Sequence, residues 1–211
     1  VLFVAAAVTV LVRGAALIAR LHALDHVGSA DFARRARDAD AFVDATDVVV
    51  AMVASALAVS FIVWCWRAAK NQQALGRVPE KLGSGWAIGG WFIPLANFVI
   101  PVLVVQDLWR GSDARIARGD PRWRIADRSW LVGWWWGLFV VALVLGTGRP
   151  ADQRPLDVGP ARDTNLLALL GMLAAAAAAL LAILVVRSLD ARQEECRDAQ
   201  ARAVTRATVT A

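Results

Sequence analysis

The residues best placed to do chemistry cluster in one run. Trp91 and Phe92 are followed by Pro94, Asn97 and Pro101, and then by Asp107 and Trp109. Each proline removes a backbone donor and, inside a helix, clashes with the preceding turn at a cost of about 3 kcal/mol. Seven residues apart, the two prolines would share one face of a helix, with Asn97 between them able to bond freed carbonyls. Such a stretch suits the wall of a polar path or pocket, with Asn97 and Asp107 as its polar groups. It also suits a purely architectural hairpin, or an ordinary helix with a kink.

Other chemistry is sparse. His22 and His26 stand four apart with Asp25 adjacent, a spacing that could share one metal ion, but no second cluster completes a site. No metal and no cofactor is expected. Cys65 and Cys196 lie far apart without a CxxC pattern, so neither a metal site nor a disulfide framework is indicated. Phosphate loops, nucleophile elbows, H-E-x-x-H and paired catalytic carboxylates are missing, and an enzyme is not expected.

The elements that must position these residues are long and apolar. Of 211 residues 58% are hydrophobic, and the runs at 48–66, 130–145 and 166–186 approach the ~20 residues needed to cross a hydrocarbon core. The expected fold is all-α: a transmembrane helical bundle forming one membrane domain over 1–193, with a charged, frayed cytoplasmic tail over 194–211. Spanning helices are expected at about 1–21, 48–66, 129–146 and 165–187, with a Pro-containing re-entrant or interfacial segment at 86–109. Residues 32–75 lack Gly and Pro and predict one helix, polar at first, capped by Gly76. Gly28-Ser29 marks a turn and Asp31 an N-cap; Pro79 and the prolines of 147–163 mark loops. Val1 is not an initiator Met, which points to a fragment lacking a leader or cytoplasmic arm.

Charge sets the expected topology. The net charge of +5 comes from an Arg-rich, Lys-poor composition of the kind found in high-GC bacterial genomes. Beside apolar helices these cations read as orientation signals, and nucleic acid is not an expected partner. Connector 22–46 carries three Arg against five Asp; 67–85 carries four cations; 110–128 carries six Arg; 147–164 carries three. The tail 187–211 carries five. If 85–109 re-enters, both strongly basic connectors and both termini share the cytoplasmic face, fifteen cations against six. If it spans, giving five crossings, the basic connectors fall on opposite faces. The four-span arrangement in a bacterial cytoplasmic membrane is the expectation, with five spans as its rival.

Arg13 is the intramembrane charge, about 18 Å along a helix begun at Val1. Such residues face the bundle and pair; Asp47 and Asp107 are the candidate partners, and snorkelling is the alternative. Arg115, Arg118, Arg122, Arg124 and Arg128, around Trp123, form the candidate basic surface for a protein partner or anionic lipid. Trp134, Trp135 and Trp136 face three directions of one helix and predict packing against lipid and neighbouring helices. The run 174–179 is all alanine, a smooth face for close packing or for a second copy of the chain.

Four stretches carry a family resemblance: WRAAKNQQALG (66–76), GWAIGGWFIPLANFVIP (85–101), DLWRGS (107–112) and LAILVVRSLDARQ (181–193). With the helix order, they resemble the bacterial membrane proteins carrying domain of unknown function 4328, common in actinobacteria. Family members usually place polar or aromatic residues around the second proline, where this chain has Val99, Ile100, Val102 and Leu103. The resemblance implies an uncharacterised multi-pass membrane protein and brings no activity. The functional expectation is therefore a non-enzymatic membrane interaction or regulatory module. Its alternative is a small oligomeric transporter or channel using the WFIPLAN segment.

Overall fold

The structure is a computed structural model describing residues 2–24, 32–77, 82–146 and 158–209, with side chains described for 10–22, 34–77, 82–146 and 163–209. The expectations on Asp25, His26, Gly28, Ser29, Asp31, Pro79 and the 147–157 loop lie outside the described residues. Among these residues six α-helices follow in order: α1 (Leu2–Leu24), α2 (Phe32–Ala74), α3 (Trp86–Gly89), α4 (Ile100–Gly111), α5 (Trp130–Gly146) and α6 (Val158–Val209). Two 3-10 turns, Ala96–Phe98 and Pro121–Ile125, interrupt them, and no strand occurs among the described residues.

The helix α2 runs unbroken for 43 residues, about 64 Å, because no Gly or Pro interrupts it. It ends in a Schellman motif. Gly76 N–H donates to Gln73 O at 2.9 Å and Arg77 N–H to Gln72 O at 3.1 Å, with Gly76 at φ +75°. The last helix, α6, starts earlier than the sequence predicted, at Val158, since Pro160 falls in its first turn where no intrahelical donor is lost. It continues to Val209. Among the described residues α2 and α6 are long and apolar enough to cross a membrane, while α5 is apolar but only 17 residues long. Val48, Val49, Met52, Val59 and Val63 of α2 all face outward.

The chain divides into two compact units. One comprises the chain up to Val59 together with Gly137–Ala178. Its core is Ala16, Leu17 and Val43, with Ala168 and Leu169 packed against them. Two ion pairs tie α1 to α2, Arg13 to Asp47 at 3.0 Å and Arg20 to Asp40 at 2.6 Å. Both residues of each helix stand seven apart, two turns along one face. Arg20 also donates to Asn165 Oδ1 at 2.9 Å. Of the two acids considered for Arg13, Asp47 makes the pair.

The other unit is Ser60–Trp136 with Ala179–Ala211. Here the charged end of α6 is stitched to the end of α2. Trp64 Nε1 donates to Asp190, Asn71 Nδ2 to Gln193 Oε1, Gln193 Nε2 to Ala68 O and Gln200 Nε2 to Leu75 O, at 3.0–3.1 Å.

Candidate functional site

The Pro-containing segment is not a kinked helix. The helix α3 lasts four residues, turns occupy 90–95, and α4 restarts at Ile100 and ends at Gly111. Pro101 sits in the first turn of α4, where it breaks no bond, and Pro94 sits in the turn. The two prolines therefore do not share a helix face as their spacing suggested. Leu95 takes φ +65°, and Ala96 N–H closes a three-residue turn on Pro94 O at 2.8 Å. At the tip Phe92 is 73% and Leu95 81% exposed, with Pro94 also outside. The Asn97 Oδ1, an acceptor, is buried without a hydrogen-bond donor among the described residues. Trp136 Nε1–H donates to Phe98 O at 2.9 Å.

Trp91 turns inward. It meets Phe61 edge-on at 6.0 Å and Trp136 at 5.9 Å, and Phe61 lies 5.2 Å from Trp135. Trp135 and Trp136 are buried and Trp134 points out, so the triple tryptophan divides between core and surface. Such aromatic contacts contribute about 0.5–1.5 kcal/mol each beyond burial. Trp109 lies under the Arg192 guanidinium, 4.4 Å from ring centroid to Cζ.

Arg77 is the centre of the site, and the motifs quoted from the sequence stop one residue short of it. Its side chain is completely buried. Nε donates to Gly111 O at 2.9 Å, Nη1 to Ala117 O at 2.6 Å, and Nη2 to Asp113 O at 3.0 Å and Ile116 O at 2.8 Å. Cys196 Sγ lies 3.5 Å from Nη2. Four carbonyl oxygens and one sulfur thus meet the cation. Arg77 directly follows the end of α2 and binds the last carbonyl of α4, so it stands at the negative ends of two helix dipoles. One residue earlier, a Cβ on Gly76 would sit 2.6 Å from Arg118 Cγ. Gln72 Nε2 adds bonds of 2.9 Å to Asp107 O and Leu108 O. That amide is so close to Gly111 that no Cβ fits there. The chain just before the Pro-containing segment is thereby clamped to the chain just after it.

Beyond the clamp, Gln106 fixes the entry to α5. Its Nε2 donates to Ser129 O at 2.7 Å and its Oε1 accepts from Ser129 N–H at 2.9 Å, while Ser129 Oγ caps Val132 N–H. The basic connector is partly self-neutralised. Arg115 forks onto Asp113 at 2.7 Å, and Arg122 reaches Asp120 at 2.6 Å. The Arg115 hydrogen bond holds the Asp113 carboxyl at about 2, well below its ordinary value. Trp123, expected among the surface arginines, is buried with its 3-10 turn packed on α4; Arg124 lies 5.9 Å over its ring. Arg118 and Arg128 remain exposed. No grouping of three or more potential metal ligands occurs among the described residues.

These features define an all-helical protein whose long apolar helices carry a hairpin closed by a buried arginine. Residues 28–191 match the family described as Domain of unknown function (DUF4328), and the chain belongs to it. No curated protein and no solved structure matches the chain.

Proposed function

We propose that the chain is a multi-pass protein of the bacterial cytoplasmic membrane, with four spans, both termini cytoplasmic, and the Pro-containing segment re-entering from the cytoplasmic side. In this reading it acts as a non-enzymatic interaction module, presenting two basic connectors side by side to a protein partner or to anionic lipid. The Arg77 clamp carries the proposal. It ties residue 77 to 111–117, which supports entry and exit on one face, with the four-cation and six-arginine connectors on that same side. Support for lipid contact comes from the outward apolar side chains of α2 and the exposed Phe92–Leu95 tip. The 12-residue α4, about 18 Å long, is too short to cross alone. Copurification from cells tests the role. One partner recovered with the wild-type chain and lost from Arg122→Ala/Arg124→Ala supports it; identical recovery from both would remove the basic connector from recognition.

A second reading, an oligomeric transporter or channel, draws on Asn97 Oδ1, a buried acceptor at the break in the helix without a donor among the described residues. Solute or ion flux in proteoliposomes, abolished in Asn97→Leu, would establish it.

A further inference from the structure

A hollow beside α4 has chemistry that neither the clamp nor the tip uses. It encloses about 240 Å³ and is lined by Leu82, Leu103, Gln106, Asp107, Arg110 and Arg128. We propose that it binds a phosphate group, presented either by an acidic phospholipid headgroup or by a free phosphate. This deepens the reading above by giving the basic face a defined ligand, and its lipid arm rests on that reading.

Arg110 carries the argument. The residue is nine-tenths buried, and its Nε has no hydrogen-bond partner among the described residues. Its neighbour Asp107 lies 3.5 Å from Nη1, a loose contact for a charge pair. A guanidinium has five donors, and leaving even one unmet in a buried place, as Nε is here, is costly. An anion with several acceptor oxygens would meet them. Arg128 stands exposed at the same hollow, so two guanidiniums face one carboxylate. The amide of Gln106 is spent on Ser129 and serves only as wall. The carbonyl end of α4 would ordinarily repel an anion, but Arg77 covers it. Leu82 and Leu103 give one apolar side, which suits an ester carrying a glycerol and acyl chain. The volume falls below the roughly 300–1,000 Å³ of drug-sized pockets and fits a headgroup fragment better than a nucleotide.

The test uses the full chain in phosphatidylcholine nanodiscs, titrated with short-chain phosphatidylglycerol and separately with inorganic phosphate. Bound ligand is counted by native mass spectrometry. Phosphatidylglycerol should bind in preference to added short-chain phosphatidylcholine. Arg128→Ala should weaken it about fivefold, the effect of one partly exposed charge contact. Arg118→Ala removes an equal charge outside the hollow and should change nothing, whereas Asp107→Asn should tighten binding. Equal losses in the two arginine variants, or weaker binding in Asp107→Asn, would overturn the site. Displacement of phosphatidylglycerol by inorganic phosphate at similar concentration identifies phosphate alone as the ligand; no displacement identifies the lipid, and either keeps the site. Labelling that put residues 83 and 119 on opposite faces would sink the topology while leaving these binding results standing.

Discussion

Replacing Arg77 by Met keeps the bulk of the side chain and deletes every donor. Four carbonyls, those of Gly111, Asp113, Ile116 and Ala117, then lose a charged partner at once. Hydrogen bonds to a charged group contribute about 1.5–3 kcal/mol each, so the gross loss is large. Relief from burying a cation offsets several kcal/mol of it. The net destabilisation, the difference between these opposing contributions, should be about 3–5 kcal/mol. For a chain of this size that lowers the melting temperature by roughly 10 °C. The loosened loop should also be cut faster by trypsin at Arg115 and Arg118. Arg77→Lys, with three donors on a flexible stem, should fall between the two. Thermal unfolding in detergent, read by tryptophan fluorescence beside a trypsin time course, measures both effects. A Met variant that melts within about 2 °C of wild type and is cut no faster would refute the clamp as the closing element.

Three further substitutions probe the rest. Gly111→Ala must push Gln72 aside and break its bonds to Asp107 O and Leu108 O, costing about 1–3 kcal/mol in a thermal melt. Arg13→Leu leaves Asp47 without its 3.0 Å partner and should cost about 1–2 kcal/mol, partly recovered by adding Asp47→Leu; unchanged expression and melting would end the claim that the pair matters. Arg115→Ala tests Asp113, whose carboxyl is held at about 2, below its unfolded value of 3.8. The stability it contributes is complete above about pH 4 and lost as pH falls through about 2. Wild type and variant should therefore differ at neutral pH, by less in high salt, and converge below about pH 2 in acid melts.

Legibility in the sequence followed the range of the interactions. The course of α2 and its Gly76 cap could be read because both depend on neighbouring residues: an absence of breakers, then a glycine free to take positive φ. That the 85–109 segment is irregular was equally plain from Pro94, Pro101 and the glycines. Its shape was not, because a proline in a first turn and a proline in a helix interior look alike until the helix start is known. Arg77 passed for one cation among several in a basic connector. Its acceptors are backbone carbonyls 34–40 residues later, and carbonyls leave no trace in residue identity. The available clue was its place directly after the cap glycine, where the chain turns back. Trp123 looked like a surface aromatic among arginines for a similar reason: burial comes from α4, not from its own neighbours.

The central claim is that the chain dips into lipid after residue 85 and returns to the same side. It is tested most directly by single cysteines at Gly83, Gly119 and Gln153 in a protein with Cys65 and Cys196 replaced, treated with a membrane-impermeant maleimide outside intact cells. The account predicts tagging at 153 alone, with 83 and 119 reached only after lysis. Tagging of just one of 83 and 119 in intact cells would contradict it.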